Sequence, residues 1–539
     1  MSPGPRGPER AIVLTLFVCF AYFFQGGGWN QNSRFDQVRA IVEGGTLSID
    51  DFLVYAAAPG SDGRARLRRF PFASAPPAGA ASHRGGPVTN TGDLSTYEGR
   101  VFPNKPPGTT FLAVPAYWAI EMVEWLLGID RDGWWTMTLN LYLTTVLSVG
   151  LLGAFGGALF HRLSRRLFPE VAPARHAAAA LAFGLTTLVF PFSTVLFDHV
   201  PVAVFSMLGF HLLLGESQEA APRAGRIRRP TAADARLAAA GLACGLAVLN
   251  NYAAVLTVAL LSAYALAVCR PRARVLFFVA GGAPAALVLA LYHRACFGHA
   301  FTLATSYESA LFTQGPERWL GVFGAPDPTV LIRLLISPYR GLFFSSPILM
   351  LGAYGLWRMR SAARREALLC AAVVAAFLLM NASFNGWHGG YSFGPRYLIP
   401  AVPFLALPLA PVFERLPRSA TILALVSGAM ILLATAVDPQ VPFDQPRPWS
   451  GYLLPLVSGG AVARPPHRIE GPVSANPQGV AEKFAHDLFP ERSAESDWSS
   501  FNLGELLWPG SLMSLLPLLV VLGAGGRLVL LRARDVPAP

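Results

Sequence analysis

The chain of 539 residues is 53% hydrophobic and only 14% charged, against about 25% charged in an ordinary soluble domain. Its apolar residues come in blocks of roughly 16–26, the length that crosses about 30 Å of hydrocarbon as helix, with none of the alternating segments of a β-barrel. A soluble domain is thereby excluded and an all-α polytopic membrane protein is predicted. The formal charge of +11 falls mostly on short loops between the blocks, which marks membrane topology and attraction to anionic lipid rather than nucleic acid as a partner.

From the N-terminus, Arg6 and Arg10 precede the run Ala11–Phe24. This has the shape of a signal peptide, but Gln25-Gly26-Gly27-Gly28-Trp29 is no small-x-small cleavage site, so a retained first span is predicted. Apolar blocks lie near 11–27, 109–127, 135–160, 177–193, 197–216, 237–251, 253–268, 275–293, 341–357, 367–382, 397–412, 419–437 and 511–530. If all cross, the basic loops from Arg162 onward fall outside; removing one block before residue 160 returns them to the cytoplasm. Block 109–127 is the one to remove. It carries Glu121 and Glu124 on the face of Tyr117, and a carboxylate at mid-bilayer costs about 2.5–3.5 kcal/mol.

The prediction is about 12 transmembrane helices, juxtamembrane periplasmic helices including 109–127, and both termini in the cytoplasm. Residues 1–437 form a transmembrane domain with the large external loop 28–134, 438–510 an external loop region, and 511–539 the last span and a cytoplasmic tail. The turn Asn250-Asn251-Tyr252 joins two blocks of about 15 residues, which predicts a hairpin that barely spans. Cys19, Cys244, Cys269, Cys296 and Cys370 are scattered without ligand spacing and read as small hydrophobes. Neither a metal site nor any other cofactor is predicted.

Ionisable residues are almost absent from the spans, which argues for chemistry at the outer surface over conduction through the bundle. Four external stretches concentrate it: Trp29–Asp36, Glu98–Gly108, Phe197-Asp198-His199 and Asn385–Tyr397. Layout and motifs together resemble the GT-C fold glycosyltransferases that use a polyprenyl-phosphate-linked sugar, the protein-mannosyl and aminoarabinose transferases among them. The resemblance covers about residues 10–300: one span, a long external loop ending in Lys105-Pro106-Pro107, a helix, then six spans. Ser337-Pro338-Tyr339-Arg340-Gly341-Leu342 and Gly394-Pro395-Arg396-Tyr397 add patterns of a bacterial branch.

The resemblance implies transfer of one sugar to an extracytoplasmic acceptor at a bacterial inner membrane. A leaving phosphate needs cations or hydrogen-bond donors, and an acceptor hydroxyl needs a base. Lys105, matching the family's phosphate-facing lysine, and Arg396 are expected at the phosphate, with Arg34 and Arg100 in reserve; His388 and Tyr391 are candidate substrate contacts, against a structural hydrogen-bonding role for His388 and a place in the interfacial aromatic belt for Tyr391. The family's acidic pair before Arg-Tyr or Arg-Phe is replaced here by Gln31 and Asn32. Asp36, about one turn further on, and Asp198, which matches an acidic position in the family, are therefore the expected bases. Relatives also carry Thr-Lys-Gly where this chain has Asn250-Asn251-Tyr252. Two other readings stay open: a lipid-linked-glycan transporter, and a catalytically inactive glycolipid-binding homologue.

Overall fold

The computed structural model describes residues 7–26, 28–52, 91–129, 134–218, 231–308, 318–443, 445–458 and 500–535, with Phe312 and the short paired pieces 54–55, 68–69, 82–83 and 86–87. Most of 53–90, with Arg64 and Arg66, and all of 459–499, with His486, Asp487 and Trp498, lie outside the described residues.

Helix α1 (Pro8–Ala21) is only 14 residues long and is followed by the strand β1 (Phe23–Gln25). The peptide groups of β1 pair antiparallel with Ser500–Asn502, Phe24 opposite Phe501. Helix α2 (Trp29–Gly44) comes next. It is buried along most of its length although it is polar, with Asn30, Gln31, Asn32, Ser33, Arg34, Asp36, Gln37 and Arg39 all inside. Burying so many polar groups requires partners for them, so their surroundings are not an ordinary apolar core.

The hairpin β2 (Leu94–Tyr97) and β3 (Arg100–Pro103) turns at Glu98-Gly99 and leads into α3 (Gly108–Leu127). Then follow α4 (Thr136–Leu167), α5 (Pro173–Leu185), α6 (His199–Gln218), α7 (Ala232–Asn250), α8 (Val255–Val268), α9 (Val275–Phe297), α10 (Pro328–Ile336), α11 (Ile348–Met359), α12 (Arg364–Ser383), α13 (Pro417–Val437) and α14 (Leu516–Arg534). Helices α7 and α9 approach at Gly241 and Gly281. A Cβ on Gly241 would stand 1.8 Å from the Phe278 carbonyl oxygen. Such contact between small residues supplies helix adhesion where lipid offers no hydrophobic drive.

Among the described residues, eight helices are long and apolar enough to cross a membrane: Gly108–Leu127, Thr136–Leu167, His199–Glu216, Ala232–Asn250, Arg272–Phe297, Arg364–Ser383, Pro417–Val437 and Leu512–Arg534. A pair bent by 57°, Arg396–Ala406 with Leu409–Arg415, raises this to nine. The expected twelve is not reached by this test of length and composition, because several blocks hold broken or short helices. Block 11–27 passes into a strand. Block 177–193 is interrupted after Leu185, where the Thr186 and Thr187 hydroxyls bond back to the carbonyls of Ala182 and Phe183. Block 341–357 breaks at Ser346-Pro347, and block 397–412 bends around Pro400, Pro403 and Pro408. Proline removes an amide donor and clashes with the preceding turn, which a hydropathy count does not register. Tyr252–Val268 is apolar but shorter than the eight. Helix α3, expected to lie on the surface, meets the length and composition test for crossing. Its Glu124 is buried, while Trp118, Met122, Trp125, Leu126 and Leu127 are exposed.

Asp198 stands at the head of α6. Near the other end, Glu216 pairs with Arg274 at 2.5 Å, and Arg274 also holds Asp234 at 2.7 Å. The two charged groups are therefore separated by about 26 Å of helix. Arg274, in the basic loop 270–274, and the Asp198 turn therefore stand at opposite ends of α6.

Candidate functional site

The turn before α6 carries Asp198 into a fully buried position. Its Oδ2 accepts from Arg34 Nη2 at 2.7 Å and from Asn251 Nδ2 at 2.9 Å. His199 Nδ1 is 3.0 Å from Oδ1, close enough for a charge contact, while Oδ1 has no aligned hydrogen-bond donor among the described residues. Burial pushes the Asp198 carboxyl up, but Arg34, His199 and Lys105, with the Asn251 hydrogen bond, hold it net below the usual carboxylate range. Asp198 is ionised.

Arg34 is oriented from its own helix. Its Nη1 donates to the Asn30 carbonyl at 3.0 Å and to the Asn30 side chain. Gln31, standing where the resemblance expects an acid, ties the end of β1 to the Asp198 turn. Its Nε2 donates to the Gln25 carbonyl at 2.8 Å, and its Oε1 accepts from the Leu196 amide at 3.1 Å. An amide supplies both a donor and an acceptor, which a carboxylate does not.

The Lys-Pro-Pro segment is brought in by close backbone contact. A Cβ on Gly108 would meet the Leu249 carbonyl carbon and oxygen at 2.5 Å. Thr109 Oγ1 donates to Asn250 Oδ1 at 2.8 Å. The hairpin turn that supplies Asn251 to Asp198 thus also anchors the start of α3. Just upstream, Lys105 Nζ lies 2.7 Å from Asp93 Oδ2 and 2.9 Å from Asn104 Oδ1. The Asn104 Nδ2 in turn donates to Glu308 Oε2 at 3.1 Å. Burial pushes the Glu308 carboxyl up to about 7, against the pull of Lys105 and Asn104 and with a push from Asp93.

Arg396 completes the cluster from the 3-10 turn Arg396–Ala401. Its guanidinium stands 5.1 Å from the Phe197 ring centre and 5.2 Å from that of Tyr397. Only 9% exposed, it has no ion-pair or hydrogen-bond partner among the described residues, and its Nε is buried. The charges of Asp198, Asp93 and Arg396 each act on Arg34, and those of Arg34 and Lys105 act on Asp198. Three cations thus face two acidic side chains. Arg34 and Lys105 are matched, and Arg396 is left as an uncompensated buried cation with aromatic walls. Such a group calls for an anion.

The structure thus brings Arg34, Lys105, Asp198 and Arg396 together. Asp36 lies elsewhere. On α2 it is about 200° around from Arg34 and acts on Arg39, which pairs with Glu43 at 2.9 Å; Tyr117 donates to the same Glu43 at 2.6 Å. Arg100 is 58% exposed on the outer side of the hairpin, 3.9 Å from Asp50 and 3.2 Å from the Thr46 hydroxyl. His388 borders the cluster. Its Nδ1 accepts from the Gly390 amide at 3.0 Å, and its ring stacks on Phe443. Burial, with Arg340 and Arg396 nearby, pushes it down to about 4, so it is neutral. Tyr391 meets Phe443 edge-on at 5.8 Å.

Arg340 is fully buried. It donates to the carbonyls of His388 at 2.8 Å, Gly390 and Tyr339 at 3.2 Å, and Val441 and Pro442 at 3.4 Å. It staples the loop ahead of Arg396 to the 441–442 segment. Sequence reasoning missed Asp93 and Glu308, which stand in loop runs without a motif; only the proximity of Asp93 to the Lys-Pro-Pro segment hinted at a partner. Among the described residues no group of three or more His, Cys, Asp or Glu side chains is placed to hold a metal ion.

The fold and site define a polytopic helical membrane protein with a cationic cluster at one end of its bundle. No protein-family model matches the chain, and no curated protein matches it. Solved structures do. Over 98% of its length the chain is similar to ArnT from Cupriavidus metallidurans bound to undecaprenyl phosphate, at 15% identity and a TM-score of 0.46, covering 76% of that chain. It is also similar to the archaeal oligosaccharyltransferase AglB from Archaeoglobus fulgidus in complex with an inhibitory peptide and a dolichol-phosphate. There the identity is 11% and the TM-score 0.44, over 91% of this chain and 61% of that one.

Proposed function

We propose that this chain is a GT-C-type membrane glycosyltransferase that moves a monosaccharide from a polyprenyl-phosphate carrier to an extracytoplasmic acceptor. The observation that carries the reading is Arg396, a buried guanidinium with no counter-charge paired to it among the described residues, whose charge acts on Arg34 of the Arg34–Asp198 pair. A phosphate ester bound there supplies the missing anion. As the sugar leaves, charge grows on the bridging oxygen, and fixed cations in a water-poor site stabilise that charge more than they stabilise the ground state. Direct displacement of the phosphate by an acceptor hydroxyl inverts the anomeric carbon. In this reading the membrane is the bacterial inner membrane, the cluster faces the periplasm and both termini are cytoplasmic.

A second reading, a catalytically inactive glycolipid binder, is favoured by one observation: Gln31 and Asn32 replace the acidic pair, and Gln31 serves to hold the Asp198 turn. One assay separates the two. Purified protein in nanodiscs is incubated with polyprenyl-phosphate-linked hexoses and pentoses. Release of the carrier phosphate supports the enzyme; saturable binding without release supports the binder; the absence of both binding and release refutes the glycolipid reading. Lys105→Ala should weaken donor binding, and unchanged binding would remove Lys105 from the phosphate site.

A further inference from the structure

We propose that Glu308 is the base that accepts the proton of the incoming hydroxyl, and that Asp93, Asn104 and Glu308 form the acceptor side of the site, next to Lys105 at the phosphate. This rests on the sugar-transfer reading above. The other acidic candidates are poorly suited. Asp198 Oδ2 is saturated by Arg34 and Asn251, and a carboxylate so stabilised is a weak base. Asp36 lies on the far side of α2 with Arg39. The side-chain amides of Gln31 and Asn32 do not take up protons at neutral pH.

Glu308 differs from these in three respects. First, the cation nearest to it is taken: Lys105 is paired with Asp93 at 2.7 Å. What reaches Glu308 is the neutral amide of Asn104, whose orientation is fixed because its other end accepts from Lys105. Second, Oε1 has no partner among the described residues and, unlike the fully buried Oδ1 of Asp198, belongs to a half-buried side chain, so it can meet a substrate. Third, the position is rigid. Glu308 bridges to Ser95, Ser95 Oγ donates to the Ala304 carbonyl at 2.7 Å, and Tyr307 stacks on Phe297 and meets Tyr97 at a tilt.

The titratable groups around it are Lys105 and Asp93, with Tyr97 and Glu98 on the hairpin and Tyr307 on its own turn. Burial holds the carboxyl near 7, where a general base is most effective at neutral pH. The Lys105–Asp93 pair leaves this side with no spare cation, so the fitting acceptor is a neutral hydroxyl, such as that of a sugar or a lipid-linked glycan, rather than an anion.

The step balances. The Glu308 carboxylate removes the hydroxyl proton as the acceptor oxygen bonds to the anomeric carbon. The bond from that carbon to the phosphate oxygen breaks, its electron pair leaving with the carrier phosphate beside Arg34 and Arg396. Glu308 then passes the proton to water.

The test uses full-length protein in nanodiscs with polyprenyl-phosphate-linked hexose or pentose donors and methyl glycosides or water as acceptor. Glu308→Gln, which keeps size and hydrogen bonding, should lower kcat by about 10²–10⁴-fold, leave donor KM unchanged and abolish the fall in rate below about pH 7. Glu308→Asp should recover part of the rate and keep an acid limb. Wild-type transfer combined with a Glu308→Gln variant of undiminished rate and unaltered acid limb overturns the assignment alone. A wild type that neither binds nor consumes any donor overturns both the assignment and the sugar-transfer reading.

Discussion

Replacing Asp198 with Asn removes the charge opposite Arg34 while keeping the side chain's size. At 2.7 Å and an effective dielectric constant near 20, the attraction between the two charges is about 6 kcal/mol. Withdrawing both ions from water offsets much of this. The measurable effect is asymmetric, because removing one partner leaves the other charge buried and uncompensated, at a cost of about 3–5 kcal/mol. Arg34→Met and Asp198→Asn should each destabilise on that scale. The double variant should cost less than the sum by about 2–3 kcal/mol, since neither charge is then stranded. Denaturant or thermal unfolding of the four proteins in one detergent completes the cycle, and the coupling should survive high salt because both groups are shielded from solvent. Single-variant losses below about 1 kcal/mol, the level of an exposed pair, or strict additivity would refute the claim that this pair organises the site.

Arg396→Gln should weaken donor binding about 10- to 100-fold, the loss of one charged hydrogen bond to phosphate, whereas Arg100→Ala, outside the cluster, should leave it unchanged; titration by calorimetry distinguishes them. Gly108→Ala places a methyl 2.5 Å from the Leu249 carbonyl, so the start of α3 must move; a stability loss of about 1–3 kcal/mol and lower donor affinity should be seen together. Arg340→Met deprives several carbonyls of their donor and should cost about 3 kcal/mol or more, with faster hydrogen exchange confined to 388–390 and 441–442 as the check.

Much of the architecture was legible in the sequence because lipid imposes helices wherever apolar blocks are long enough. Blocks such as 275–293 and 419–437 became uninterrupted helices. Where the blocks held Pro347, Pro400, Pro403 or Pro408, apolarity and helix continuity parted, and the expected spans became short buried pieces. At the site, Lys105, Arg34, Asp198 and Arg396 were legible as the few ionisable residues beside external turns. Asp36 looked equivalent to Asp198 because one turn of helix was counted from Asn32, yet Arg34 and Gln31 define the face that meets the Asp198 turn. Glu308 was not legible. Its role depends on Asn104, 204 residues away in sequence, and on Lys105 being already paired, neither of which local patterning encodes.

The antiparallel contact between Phe23–Gln25 and Ser500–Asn502 sets the order in which this protein can be completed during synthesis. The amides and carbonyls of residues 23–25 leave the ribosome long before their partners do. Tyr22 waits equally long for the Ser514 carbonyl, which it meets at 2.5 Å. Until then these groups need water or a temporary protein partner. A chain released before residue 500 therefore carries a bare strand edge beside the helix Pro8–Ala21.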